Sequence, residues 1–313
     1  LDYQEVRNDG YDLRGNVLNQ TIATYSGVEK IEITNPETGA KKLVDKGVNL
    51  LDIKVITNAN YTGLGYASST TIAKYASGTV ELEGGKITPA DLIDITVITT
   101  PPDQFDLRGN ALSQTIKKYS GGTSNQPTGL IETQQITNAA TDYDFHNRLS
   151  HSVVDTYNSD GKFVDKQVIN YTYDTFGYGN VVDQTIARYD QPGTLIDYKT
   201  LHNEYDYTNY PQAARKGVAT QTTVKRYTII NPPDDTTLID RQEIYNNMST
   251  LDNLYNIVDQ KIETYKVDAT STQQLVSTKT IHNSAISARG DAGVQEITTE
   301  TTDGSGANAK VTS

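Results

Sequence analysis

Two short patterns of apolar and polar residues alternate along the chain. The first pattern, which we call strand A, has the form Gln-Thr-Ile-x-x-Tyr, and its clearest copies begin at Gln20, Gln114 and Gln184. Weaker copies begin at Thr70, Ser152, Thr222, Gln260 and Gln295. Successive tyrosines of the pattern lie 32 to 50 residues apart, which indicates a repeat with loops of varying length.

The second pattern, strand B, follows strand A and has the form Leu-Ile-Asp-x-x-x-Ile-x-Asn. Clear copies occupy residues 50–58, 130–138, 195–203 and 238–246, and variants begin at Leu92, Phe163 and Leu275. Both patterns are short, rich in β-branched residues and bounded by Gly, Asn, Asp or Pro. They therefore predict β-strands rather than helices.

A turn box separates strand B from the next strand A. It reads Tyr-Asp-Leu-Arg-Gly-Asn at 11–16 and Phe-Asp-Leu-Arg-Gly-Asn at 105–110, with looser forms at 143–147 and in the stretch that ends at residue 180. Gly and Asn tolerate a positive φ, so the box predicts a tight reversal of the chain. The predicted turn residues are Gly15, Asn16, Gly109, Asn110, Gly179 and Asn180.

This order of elements predicts an all-β fold of tandem β-hairpin repeats stacked as a β-solenoid or spiral sheet. We expect one continuous array over residues 1–313, built from about eight strand–turn–strand units. Their approximate bounds are 9–58, 59–100, 101–138, 139–171, 172–203, 204–246, 247–283 and 284–313. Residues 1–8 have the strand B spacing and are expected to be an orphan strand from a preceding unit. Such a strand predicts head-to-tail pairing with another copy or with further repeats.

Recurrent Gln and Tyr suggest how so polar a chain is ordered. Side chains alternate between the faces of a strand, so stacked copies would align Gln on Gln in an amide ladder and Tyr on Tyr in an aromatic row. The predicted ladder residues are Gln20, Gln114, Gln184, Gln260, Tyr25, Tyr75, Tyr119, Tyr157, Tyr189, Tyr227 and Tyr265.

The connections within the units differ in length. Residues 158–161 are expected to form a short hairpin turn, and residues 120–129 a longer loop. Only residues 211–218 have the character of a helical turn. Variable loops lie on one face of repeat proteins and often carry any binding role.

Composition and charge narrow the classes of partner. The hydrophobic fraction is 35%, which favours a thin core shared between units over one large core. The net charge of −12 repels phosphate backbones and anionic membranes, so neither nucleic acid nor a membrane is an expected partner. No run approaches the ~20 apolar residues that span a bilayer. The absence of Cys excludes disulfides and suits an exposed protein.

The sequence offers little catalytic chemistry, and we expect that the protein is not an enzyme. His202 and His282 fall at the same place in strand B, but no Ser/His/Asp set clusters in the sequence. There is also no P-loop, Gly-rich dinucleotide loop or HExxH motif.

One set of acidic residues recurs once per unit. The strand B aspartates are Asp52, Asp94, Asp165, Asp197 and Asp240. Such a column could bind Ca²⁺. The alternative is that each carboxylate bonds local backbone N–H groups. No other cofactor is expected.

The turn boxes at 11–16 and 105–110 resemble the YD repeat of the Rhs family. This resemblance implies a bacterial extracellular or secreted protein whose hairpins wind into a spiral sheet. Some members form shells around toxins, and others are surface proteins. The units here are longer than usual YD units, and no toxin domain is recognisable at the C-terminal end.

Two hypotheses for function follow. The first is a structural extracellular or cell-surface protein that self-assembles into a fibre, tube or surface layer by head-to-tail strand pairing. The alternative is a glycan-binding or adhesive surface module, or a Rhs-type shell segment, because the 21 Tyr can stack on sugars. Tyr buried between repeats would favour the first hypothesis, and Tyr in an open groove the second.

Overall fold

The computed structural model describes residues 3–34, 38–82, 84–191, 193–232, 234–267, 272–286, 292–302 and 308–312. The strands are β1 Tyr3–Tyr11, β2 Val17–Thr34, β3 Lys41–Tyr61, β4 Ala67–Val80, β5 Ile87–Thr99, β6 Ser113–Thr123, β7 Gln126–Thr137, β8 His151–Asn158, β9 Phe163–Tyr173, β10 Val181–Gln191, β11 Thr194–Glu204, β12 Gln221–Tyr227, β13 Leu238–Asn246, β14 Asp259–Val267, β15 Gln273–Ser284, β16 Val294–Thr302 and β17 Asn308–Thr312. Among the described residues, one short α-helix, α1, covers Pro211–Arg215, and four 3₁₀ turns that the sequence did not predict cover Pro102–Gln104, Ala140–Asp142, Asp235–Thr237 and Met248–Thr250. Within these ranges no helix is long and apolar enough to cross a bilayer.

The chain divides into two compact units. The first contains residues 1–140 and 155–164, and the second contains residues 141–154 and 165–313. In the first unit, each strand from β1 to β7 pairs antiparallel with the next. In the second, the same holds from β9 to β17. The expected all-β class is confirmed.

Six of the described hairpins share one register. In β2–β3, Gln20 lies opposite Ile56 and Tyr25 lies opposite Leu50, and the ladder has an irregularity between Thr24 and Tyr25. The same offset and the same irregularity recur in β4–β5, β6–β7, β10–β11, β12–β13 and β14–β15. Strand A and strand B are therefore hydrogen-bonded in the same way at each of these places.

The irregularity is a β-bulge that the sequence patterns did not predict. Tyr25 pairs with Leu50 and Thr24 with Asp52, so Leu51 is an extra residue on the strand B side. In four of the six hairpins this extra residue is large, apolar and exposed: Leu51, Ile93, Ile131 and Ile196. The Leu-Ile-Asp sequence places two apolar residues side by side, out of phase with the two-residue period of a strand. This feature of the sequence could have predicted the bulge.

Each unit has a small core of its own. In the first, Ala23, Tyr25, Ile53 and Ile87 are buried together, and Tyr75 packs against them. In the second, Ala187, Tyr198, Tyr227 and Leu238 are buried, and Tyr189 packs against them. A thin core of this kind agrees with the low hydrophobic content.

Two of the three expected connections have the expected structure. Residues 158–161 form a tight turn in which Asn158 N–H bonds to the Lys162 carbonyl oxygen. The expected helical turn at 211–218 is present as α1, with Pro211 in its first turn. The expected loop at 120–129 is wrong, because β6 and β7 continue through it and Thr123 pairs with Gln126. The Thr and Gly residues of this segment continue the paired strands and do not form a separate loop.

Candidate functional site

The turn boxes are stabilised by one aspartate each. Asp12 Oδ1 accepts from the N–H groups of Arg14 and Asn16, at 2.8 and 2.9 Å. The Asn16 side chain donates to Asp12 Oδ2 at 2.8 Å, and Gly15 has a φ of 85°. These hydrogen bonds hold the pKa of the Asp12 carboxyl below its ordinary value, the Asn16 side-chain bond being the largest cause.

The second clear box repeats this geometry. Asp106 accepts from Arg108 N–H and Asn110 N–H, both at 2.8 Å, and from the Asn110 side chain at 2.8 Å. Gly109 again has a positive φ, of 89°. A Cβ on Gly109 would lie 2.6 Å from the Tyr66 ring, so this glycine also allows close approach to the preceding turn.

The looser boxes keep the aspartate and vary the rest. Asp174 accepts from Tyr178 N–H and Asn180 N–H, and Gly179 has a φ of 84°. Asn180 is buried, and its side chain donates to the Ala214 carbonyl at 2.6 Å. A further box went unnoticed in the sequence, although its Asp252 and Asn256 have the same four-residue spacing.

The amide ladder joins Gln to Asn, and the expected stacking of Gln on Gln is wrong. Gln20 Nε2 donates to Asn8 Oδ1, and Gln260 Nε2 to Asn246 Oδ1, each at 2.8 Å. Gln114 donates to Thr100 Oγ1 at 3.2 Å, where strand B has Thr in place of Asn. A strand B lies between successive strands A, so two glutamines of the motif are not neighbours. Gln184 lies opposite Tyr171.

The strand B asparagine uses both ends of its amide. Asn246 Nδ2 donates to the Ala219 carbonyl oxygen at 2.8 Å, while its Oδ1 accepts from Gln260. Asn203 bonds in the same way to the Val181 carbonyl oxygen and Thr222 Oγ1, at 2.9 and 2.7 Å. We call this arrangement the asparagine clamp. The same two-ended contact forms at Asn58 and Asn283, so in these four hairpins the clamp ties strand B to both the preceding and the following strand A.

Four strand A tyrosines belong to the small cores, Tyr25 and Tyr75 in the first and Tyr189 and Tyr227 in the second. In the six hairpins of common register, the strand A tyrosine lies opposite a strand B leucine. Tyr25 packs against Tyr3 with ring centroids 6.0 Å apart and planes tilted by 42°, and Tyr157 contacts Phe163 edge-on at 5.8 Å. Burial raises the pKa of Tyr25 to about 12. Tyr119 lies opposite Leu130. Tyr265 donates to Glu263 Oε2 at 2.8 Å.

The strand B aspartates lie beside cations. The ion pairs are Lys74–Asp52 and Lys118–Asp94 at 3.6 Å, Arg188–Asp165 at 2.9 Å, Arg226–Asp197 at 4.0 Å, and Arg226–Asp240. The aspartate column is thus an alternating row of charges. The described residues contain no group of three or more His, Cys, Asp or Glu that could hold a metal ion. The column that was considered for Ca²⁺ binding thus lies among cationic side chains.

Two of the histidines form the same contact in different hairpins. His202 Nδ1 lies 2.7 Å from Asp183 Oδ1, and His282 Nδ1 lies 2.7 Å from Asp259 Oδ1. In both cases the aspartate is the residue directly opposite on strand A. Each pair borders a groove within the second unit.

The groove beside His202 is rich in aromatic rings. It has a volume of about 460 Å³ and is lined by Tyr173, Phe176, Tyr205 and Tyr207 together with the His202–Asp183 pair. The rings of Phe176 and Tyr207 lie 4.2 Å apart at 32°. We call this the aromatic groove.

Its tyrosines are fixed by their hydroxyl groups. Tyr207 Oη donates to Asp174 Oδ2 at 3.0 Å, and Tyr205 Oη donates to the Val181 carbonyl oxygen at 3.1 Å. Burial raises the pKa of both tyrosines above the ordinary value. Both rings are therefore held in place by the turn and by the start of β10. Phe176, at the mouth of the groove, is 62% exposed.

No protein-family model matches the chain, and neither does any curated protein. Among solved structures, a porin-like protein from Bacteroides uniformis is 11% identical over 92% of this chain and 93% of that one, with a TM-score of 0.36. The structures of TcdB2-TccC3-TEV and TcdB2-TccC3-Cdc42 are 12% and 10% identical, with TM-scores of 0.15 and 0.16. They cover 95% and 100% of this chain, which spans 20% of the length of each. With TM-scores this low, these similarities assign neither fold nor function.

Proposed function

We propose that the protein is a non-catalytic structural repeat protein of the cell exterior. In this proposal, copies of the chain join head to tail by strand pairing, and the hairpins stack as a solenoid or spiral sheet in a fibre, tube or surface layer. The carrying observation is the common register of the six hairpins.

The pairing of β1 with β2 supports this proposal. Asn8 of β1 lies opposite Gln20 and accepts from it, just as Asn246 accepts from Gln260. The first described strand therefore presents the strand B pattern to β2. Because units recur with the same register, a strand from another copy would meet a compatible ladder.

The turn box adds a second line of support. Its resemblance to YD repeats favours an extracellular repeat protein or a Rhs-type shell segment. The negative net charge and the absence of Cys also suit an exposed protein. A fold-level analogy alone gives no function, so the test concerns assembly.

The test compares two exposed valines. Val6→Lys places a charge in β1, and Val28→Lys places the same charge on the hairpin extension of β2, opposite Gly47. A lysine within an edge strand opposes pairing with another chain. We expect wild type and Val28→Lys to form filaments in negative-stain micrographs as concentration rises, and Val6→Lys to sediment as a monomer.

Circular dichroism spectra should be the same for all three proteins, which shows that the units stay folded. A wild type that sediments as a monomer at every concentration would overturn head-to-tail assembly. Equal assembly of the two lysine variants would remove β1 from the contact.

A further inference from the structure

The aromatic groove combines two features that the proposed strand pairing does not require. One is a pair of packed rings, Phe176 and Tyr207, whose centroids lie 4.2 Å apart with planes inclined at 32°. The other is the His202–Asp183 pair on the same groove. We propose that this groove binds a neutral oligosaccharide.

The rings favour a sugar over a cationic ligand. Phe176 lies against Tyr207 with ring centroids 4.2 Å apart and so presents one open ring face, whereas recognition of an ammonium group uses rings that surround it on several sides. The flat apolar face of a pyranose matches such an open ring face. The exposed Phe176 at the mouth offers the outermost ring for this contact.

The polar groups complete the site. Asp183 is held on both oxygens, since Oδ1 contacts His202 Nδ1 at 2.7 Å and Oδ2 accepts from Thr172 Oγ1 at 3.0 Å. Both the imidazole and the carboxylate are half-exposed. With Nδ1 directed at Asp183, Nε2 is the ring nitrogen available to a sugar hydroxyl. The carboxylates of Asp174, Asp183 and Glu204 disfavour an anionic sugar.

The chain contains its own comparison site. The groove beside His282 has a similar volume of about 480 Å³ and the same His–Asp contact. Its aromatic residue, Tyr245, is covered by the Lys261 ammonium, 4.9 Å from the ring centroid. This groove has the His–Asp pair but no counterpart of the exposed Phe176 ring, so it should not bind the sugar.

The experiment titrates the full chain with cellohexaose, maltohexaose, chitohexaose and mannohexaose. Binding is read by saturation-transfer NMR and by tyrosine fluorescence. We expect at least one of these sugars to bind the wild type. Phe176→Ala should weaken that binding about tenfold or more, and His202→Ala about five- to tenfold, while His282→Ala leaves it unchanged.

Three outcomes would overturn the proposal. These are no binding of any of the four sugars, equal affinity of Phe176→Ala and wild type, or equal losses from the two histidine variants. Displacement of the sugar by choline, with tighter binding of choline itself, would reassign the groove to a cationic ligand. Phe176 and His202 lie outside β1, so loss of sugar binding and loss of assembly are separate results.

Discussion

Removal of one asparagine clamp should lower the free energy of unfolding by a defined amount. Asn246 donates to the Ala219 carbonyl oxygen and accepts from Gln260, so Asn246→Ala deletes two neutral hydrogen bonds. Each contributes about 1 kcal/mol to the free energy of unfolding, which predicts a loss of about 2 kcal/mol. Gln260→Ala deletes one of the two and should cost about 1 kcal/mol.

The two side chains share a bond, so their effects should not add. The double variant should lose about 2 rather than about 3 kcal/mol, a coupling of about 1 kcal/mol. Asn253→Ala, in an exposed turn, is the matched control. Urea unfolding followed by circular dichroism and tyrosine fluorescence measures each value, and the absence of Trp leaves the tyrosine signal unmasked. Additive losses, or a loss from Asn246→Ala no larger than that from Asn253→Ala, would refute the clamp.

Three further predictions concern the turns and the tyrosines. Gly109→Ala should destabilise the first unit more than Gly15→Ala, because both have positive φ but only Gly109 faces a ring, that of Tyr66; thermal melts compare them. The pKa of Asp106 is lowered in the folded state, so the stability that its ionised carboxylate contributes is present above the ordinary pKa of 3.8 and is lost as pH falls below it. The free energy of unfolding should therefore fall more steeply with acid in wild type than in Asp106→Asn. The pKa of Tyr25 is raised from 10.0 to about 12, so its stabilisation is complete below pH 10 and should decline between pH 10 and 12, with a smaller decline in Tyr25→Phe.

Local patterns predicted the strands well because their information lies within a few residues. Strand A and strand B are recognisable from β-branched residues and flanking breakers, and the register follows from their recurrence. The turn box was also predictable, since Gly15 and Gly109 both have the positive φ that the box requires. The role of the strand B asparagine was not, because its partners lie on two other strands.

The Gln ladder and the aspartate column were limited by the same physical cause. Gln-on-Gln stacking assumed that equivalent residues are neighbours, whereas the meander places a strand B between Gln20 and the next strand A. The aspartate column was considered for calcium because sequence does not show that Lys74 and Arg188 lie beside Asp52 and Asp165. Both readings depend on contacts across strands rather than on properties of one strand.

Beyond the bulge, each hairpin continues toward its tip as a paired extension, which we call its arm. The arms differ in length, but the register on the other side of the bulge is the same in each hairpin. The β2–β3 arm continues to the pair Thr34–Lys41, and the β6–β7 arm to Thr123–Gln126. Residues added in equal number to both arms would preserve the alternation of faces. The tip at residues 124–125 is therefore a suitable graft point for displaying a foreign peptide, and a tandem of such chains would space copies of it at regular intervals.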